Sequence, residues 1–238
     1  MIDLPVLLLP GTLCDGAVFH HQVKALETIA SHVEVVEFRH ERSIFQMADT
    51  VAERIPDAGR AAIAGFSMGG MVALALAGRH PDRVAKIALI NSNCHSEFPE
   101  RHAARLRDLA LARSAGISEL IANHYIPNYL YRRESRHQQI ILDMATRLGT
   151  DCFESQLEAL ATRPDSREIL QNIHCPTLVL GSDHDSLCPP AVQMEMHELA
   201  NGSDLLLLGD CGHFSTLERP TAVSSALLNW YRGSAQSL

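Results

Sequence analysis

The chain has 238 residues, 46% of them hydrophobic and 20% charged, with a formal net charge of −8 at pH 7. That length suits one large α/β domain with a sizeable core, and the composition is ordinary for a globular protein. The acidic balance excludes the basic patch of a nucleic-acid binder and does not favour adhesion to an anionic membrane surface.

The opening MIDLPVLLLPGT has no basic n-region, and its apolar run of about five residues is too short for a signal peptide. No stretch approaches the roughly 20 apolar residues of a membrane span. Six cysteines are scattered without a C-x-x-C pair, which predicts reduced thiols and a cytoplasmic protein.

Six short apolar runs follow one another along the chain: VLLLP (6–10), VEVVEF (33–38), AAIAGF (61–66), AKIALIN (85–91), PTLVLG (176–181) and DLLLLG (204–209). Most are apolar throughout, as strands buried on both faces of a parallel sheet must be. Helical stretches at 18–30, 45–55, 67–80, 191–200 and 221–231 separate them. Alternating β and α elements of this length predict an α/β fold, a mostly parallel sheet covered by helices on both faces.

One connection breaks the rhythm, because 84 residues separate Asn91 from Pro176. A structureless loop of that length is not expected in a compact domain. Ile140, Met144 and Leu148 with Ile141 and Ala145 form one apolar stripe at helical spacing, and Ala103, Leu106, Leu109 and Ala110 form another. The reading is a helical cap, 94–175, inserted in a core made of 1–93 and 176–238.

AIAGFSMGGMVALALA (62–77) joins a buried strand to a small-residue helix through G-x-S-x-G, with Gly65, Ser67 and Gly69. A nucleophile on a sharp strand-to-helix turn needs glycine two residues to either side, where a side chain has no room. Gly70 and Ala73 let the helix approach the sheet closely. Ser67 then lies at a helix N-terminus, which favours negative charge.

A serine hydroxyl needs a base to take its proton. Of 13 histidines, His213 stands apart, in GDCGHFSTLERP directly after the last strand. GSDHDSLCPP (181–190) follows the preceding strand, so both loops leave the carboxyl edge of the sheet, where ligands gather in open α/β folds. Ser67, then an aspartate of this loop, then His213 reproduces the chain order of an elbow-type triad. A metal site through Asp183, His184, Asp185, Cys188, Cys211 and His213 has no pair at structural-zinc spacing and leaves Ser67 unexplained, so neither metal nor cofactor is expected.

PGTLCDGAVF (10–19), GFSMGG (65–70), GSDHDSLCP (181–189) and CGHFSTLERP (211–220) together resemble the α/β-hydrolase superfamily. The likeness is to its small capped serine esterases, such as pimeloyl-carrier-protein methyl ester esterases, and to the related C–C bond hydrolases. The resemblance implies Asp185 as the acid, four residues before Pro189, with Asp183 bracing the loop. It implies an oxyanion hole from the backbone N–H groups of Thr12 and Met68, with Leu13 as the fallback. Pro10 stands where the family carries histidine, a change that leaves backbone donors available.

The expected activity is cleavage of a small carboxylic ester, lactone or thioester through an acyl-enzyme on Ser67. The alternatives are a C–C bond hydrolase or lyase acting on a ketonic substrate with the same triad, and a non-catalytic ligand receptor. Arg39, His40 and Arg42 are expected to be solvated near the mouth of the site. Arg101, Arg105 and Arg107 are read mainly as a solvated helix face, with an anion-binding cap for a carrier-protein partner as the lesser reading. Cys14 and Cys188 are expected near the site, where thiol reagents would block access.

Overall fold

The computed structural model describes residues 4–57 and 59–233; the outermost parts of the expected core, 1–3 and 234–238, lie outside them. Six parallel strands form one sheet in the order β2-β1-β3-β4-β5-β6. They are β1 (Val6–Leu9), β2 (Val33–Val35), β3 (Ala61–Phe66), β4 (Val84–Ile90), β5 (Thr177–Ser182) and β6 (Asp204–Leu208). All six expected runs are strands, and the sheet is parallel as expected.

Side chains alternate across a strand, so each run divides between two layers. Val6, Leu8, Ala62, Ala64, Ala88 and Leu178 face one core, and Leu7, Leu9, Ile63, Leu89 and Val179 face the other. The first layer is closed by α1 (His20–Leu26) and α11 (Pro220–Arg232), the second by α2 (Ile44–Arg54), α3 (Met68–Arg79) and α9 (Pro190–Leu199). Both faces are therefore dry, which is why uninterrupted apolar runs can serve as strands.

Two elements are shorter than the sequence suggests. β2 spans three residues of the expected six, although Val36 N–H still donates to Leu8 O at 3.0 Å. Its neighbour β1 has only four residues and ends at Pro10, so no ladder remains for residues 37 and 38. The expected helix 18–30 divides into a 3-10 turn, Gly16–Phe19, capped by Asp15, and then α1.

The long insertion is helical: α4 (Pro99–Ala115), α5 (Ile117–Leu120), a π turn at Ile121–Tyr125, α6 (Ile126–Tyr129), α7 (Ser135–Ala161) and α8 (Arg167–Gln171). In α7 the stripe Ile141, Met144, Ala145 and Leu148 is buried, as its spacing predicts. Gly149 (φ 77°, ψ 178°) breaks the helix in a conformation that costs glycine little, and turns Cys152–Ala161 back onto the sheet. Gln156 in that returning half accepts from Leu13 N and donates to Phe38 O, both at 2.8 Å, tying the insertion to two core loops. α8 packs its Ile169 on Gly78 of α3, on the opposite face of the sheet.

Of the stripe expected on α4, Leu109 is half-buried against the core and the rest is not. Ala103 and Ala110 are exposed and Leu106 is 57% exposed, whereas Ala104, Arg105 and Asp108 face inward. The reason is that the first half of α4 borders a cavity, where inward residues need not be apolar, and only its second half, with Leu109, Leu111 and Ala112, packs on the core. Among the described residues no helix is long and apolar enough to cross a membrane.

Candidate active site

Ser67 joins β3 to α3 with φ 53° and ψ −116°, a strained conformation for a residue with a side chain. Its N–H donates to Ile90 O at 2.9 Å, and its carbonyl accepts from Ser92 Oγ at 2.8 Å. The surrounding glycines are sterically required. A Cβ on Gly65 would come within 2.3 Å of the Gly69 backbone, and one on Gly69 within 2.0 Å of Leu9 O. At Gly70 a Cβ would meet Ser92 Oγ at 2.3 Å, so that glycine makes room for the hydroxyl that holds the turn.

Strain collects at this edge of the sheet. The non-glycine residues with positive φ among those described are Leu13, Ser67, Asn91 and Asp210, in the loops after β1, β3, β4 and β6. Such positions persist only where surrounding contacts over-determine them, and they cluster at functional sites.

The structure brings three expected residues into one chain of hydrogen bonds. His213 Nε2 lies 3.0 Å from Ser67 Oγ, and His213 Nδ1 lies 2.8 Å from Asp185 Oδ2. His213 is buried, with Phe66 and Tyr129 rings packed at 5.1 and 5.8 Å. The inserted segment holds the loop: His213 N–H donates to Tyr129 O at 2.7 Å. Glu218 accepts from Gly212 N at 2.9 Å and from Tyr131 N at 2.8 Å, bridging the same two segments, and burial pushes its carboxyl upward.

Asp185 accepts four hydrogen bonds. Oδ1 takes the N–H groups of Leu187 and Cys188, both at 2.9 Å, and Oδ2 takes His213 Nδ1 and Asn91 Nδ2. Burial opposes its charge, but His213 beside it and these donors outweigh burial and hold the carboxyl below its ordinary range. Asp183 instead accepts from Asp210 N at 3.0 Å and Cys211 N at 3.1 Å on the exposed side of the loop.

Asn91 was not singled out from the sequence. It sits at the end of β4 with φ 45°, a conformation asparagine tolerates better than most residues. Its Nδ2 also donates to Ser182 Oγ at 3.0 Å, and its Oδ1 accepts from Ser215 Oγ at 2.6 Å. The available signal was its position at the carboxyl end of a central parallel strand.

Asp185, Cys188 and His213 present donor atoms within 4.8 Å of one another. Their oxygens and ring nitrogens are already committed to the bonds above, and burial pushes the Cys188 thiol well up, so they fit a proton relay and not a metal. Burial likewise pushes the Cys14 thiol up.

A cavity of about 340 Å³ opens on Ser67 and His213, and Thr12 and Met68 line it. Leu13 N–H is already bonded to Gln156, which removes the fallback donor. Arg39 and Arg42 are exposed and paired with Glu37 and Glu158, and His40 is exposed. Arg101 and Arg105 line the cavity: Arg105 is half-buried, which corrects its reading as solvated, whereas Arg101 at the cavity's edge is exposed, as is Arg107, both as expected.

A pimeloyl-acyl-carrier-protein methyl ester esterase of Neisseria meningitidis is 28% identical over 193 residues. The match takes in 78% of this chain and 61% of that relative, so the chain spans less than two thirds of the relative's length. Among solved structures, a thermophilic esterase from Thermogutta terrifontis with malate bound has a TM-score of 0.87 at 27% identity, covering 98% of this chain and 91% of that one. The enol-lactonase of Burkholderia xenovorans LB400 has a TM-score of 0.86 at 26% identity, covering 97% and 92%. The model of the alpha/beta hydrolase family matches residues 6–226, nearly the whole described chain, and this chain belongs to that family.

Proposed function

We propose that the protein is a serine hydrolase that cleaves a small carboxylic ester, lactone or thioester through an acyl-enzyme on Ser67. The observation that carries this reading is the Ser67–His213–Asp185 chain, with links of 3.0 and 2.8 Å. His213 takes the Ser67 proton as Oγ attacks the acyl carbon, then passes it to the departing alcohol. Asp185 holds the imidazole tautomer and offsets the charge of the imidazolium. A water deprotonated by His213 then releases the acid and restores Ser67.

Thr12 and Met68 are the proposed backbone donors to the oxyanion, worth roughly 3 kcal/mol each at such sites. Residues 94–175 act as the cap, which shapes the pocket and anchors His213 through Tyr129. The esterase and enol-lactonase likenesses, at 27 and 26% identity, support ester or lactone chemistry. A pure receptor has no use for the strain at Ser67, of order 1–3 kcal/mol. A carrier-bound acyl ester is the alternative substrate, suggested by the name of the Neisseria relative.

The test is turnover of p-nitrophenyl esters from acetate to decanoate by wild type and Ser67→Ala. Steady turnover lost in the variant is expected, and the chain-length optimum sizes the pocket. A burst without turnover, or no reaction, would replace this reading with C–C bond or lyase chemistry.

A further inference from the structure

We propose that the cavity over Ser67 contains a subsite for a second, ionised carboxyl group of the substrate, formed by Arg101 and Arg105 of α4. The preferred esters are then half-esters of dicarboxylic acids, or lactones bearing a free acid. The inference rests on the esterase reading above and narrows its substrate class.

Arg101, Arg105 and Arg163 line the same cavity as Ser67 and His213. Arg163 is spent on the fold. It is 6% exposed, its guanidinium donates to the carbonyls of His95, Leu160 and Ser96, and it pairs with Glu97 at 3.1 Å. Arg105 uses Nε alone, on the same Glu97 carboxylate, whose side chain is 6% exposed. The carboxylate in the cavity wall, Asp108, accepts from the Tyr125 hydroxyl at 2.7 Å.

Three arginines thus line a cavity whose wall carries one carboxylate, Asp108, already engaged, while Glu97 pairs with Arg105 and Arg163 from outside the lining. The terminal nitrogens of Arg105 and the whole Arg101 guanidinium have no hydrogen-bond partner among the described residues. Arg101 and Arg105 are four apart on α4, so they share one face of the helix. A forked cation favours a planar, bidentate anion, and carboxylate fits that fork; Arg105 is half-buried and Arg101 exposed at the cavity's edge. The lining also runs against the molecule as a whole, whose net charge is −8.

The test compares monomethyl esters of the dicarboxylic acids from succinate to suberate with methyl esters of monocarboxylic acids of equal chain length. The quantity read is the ratio of kcat/KM for the anionic over the neutral ester. Wild type is expected to favour the half-ester by about ten- to hundredfold at the best length, mainly through KM, the range for a charged hydrogen bond. Arg101→Gln and, separately, Arg105→Gln should bring the ratio towards one, with a thermal melt confirming that each variant is folded.

A ratio near or below one in wild type, with neutral esters turned over through Ser67, overturns the subsite and leaves the esterase intact. So does a high ratio unchanged in both variants. Should neither ester class be turned over, the esterase reading fails, and calorimetric titration of Ser67→Ala with glutarate and adipate tests the subsite alone. Binding abolished by adding Arg101→Gln supports it, and absence of binding overturns it.

Discussion

Asn91 Nδ2 donates to Asp185 Oδ2 at 2.9 Å, the same oxygen that receives His213 Nδ1. The amide is held in turn by Ser182 and Ser215, so it can present only its donor side to the carboxylate. Asn91 thereby fixes where the acid points, and with it the imidazole. Asn91→Ala is expected to lower kcat by about tenfold or more with little change in KM, and to destabilise by about 1–3 kcal/mol, because the Ser215 hydroxyl and the acceptor Asp185 Oδ2 each lose a buried partner. Kinetics beside denaturant melts check this; a change in KM alone would show that Asn91 does not act through the acid.

The two aspartates of the 181–190 loop divide their labour by burial. Asp185→Asn is expected to reduce kcat by about 10⁴-fold, against about 10⁶-fold for Ser67→Ala or His213→Ala. Asp183→Asn should change turnover by less than about tenfold, because its oxygens brace Asp210 and Cys211 on the outer side. The reverse ranking in steady-state assays would reassign the acid.

Asp185 also predicts an acid limb in stability. Its folded-state carboxyl is held below the ordinary value, so its contribution is complete above the unfolded value of about 3.9 and is lost as pH falls through the folded one. Glu218 has the opposite sign: burial raises it, so its contribution is complete below its unfolded value and is lost as pH rises through the raised one. Melting curves from pH 3 to 7 should show a shallower acid fall for Asp185→Asn than for wild type. Parallel curves would mean that Asp185 carries no such linkage.

Burial is expected to keep Cys14 and Cys188 unreactive, against the reading that thiol reagents would block access through them. Cys14 and Cys188 are buried, and burial pushes both thiols well above their usual range, which suppresses the thiolate that alkylating reagents need. Native protein treated with iodoacetamide at pH 8 should keep its esterase activity. Stoichiometric loss of activity with Cys188 labelled would overturn this.

Much of the scaffold was legible because it depends on local pattern. Runs buried on both faces announced the six strands, and the crowding around Ser67 demanded glycines at fixed spacing. What escaped depends on partners remote in the chain. Asn91 reads as the end of a strand until the fold brings it to Asp185, 94 positions away. On α4 the apolar spacing suggests a core face that only Leu109 joins, whereas along the cavity the inward residues are Arg105 and Asp108.

The sequence alone therefore determined the parallel α/β scaffold and the glycine-flanked turn at Ser67, since both follow from backbone sterics and strand period over a few residues. The tertiary structure alone decided which oxygen His213 meets, that Leu13 N–H is taken by Gln156, and that Arg101 and Arg105 enter the cavity. Hydrogen-bond partners and the charge balance of a pocket arise between segments distant in the chain, and no local periodicity encodes them.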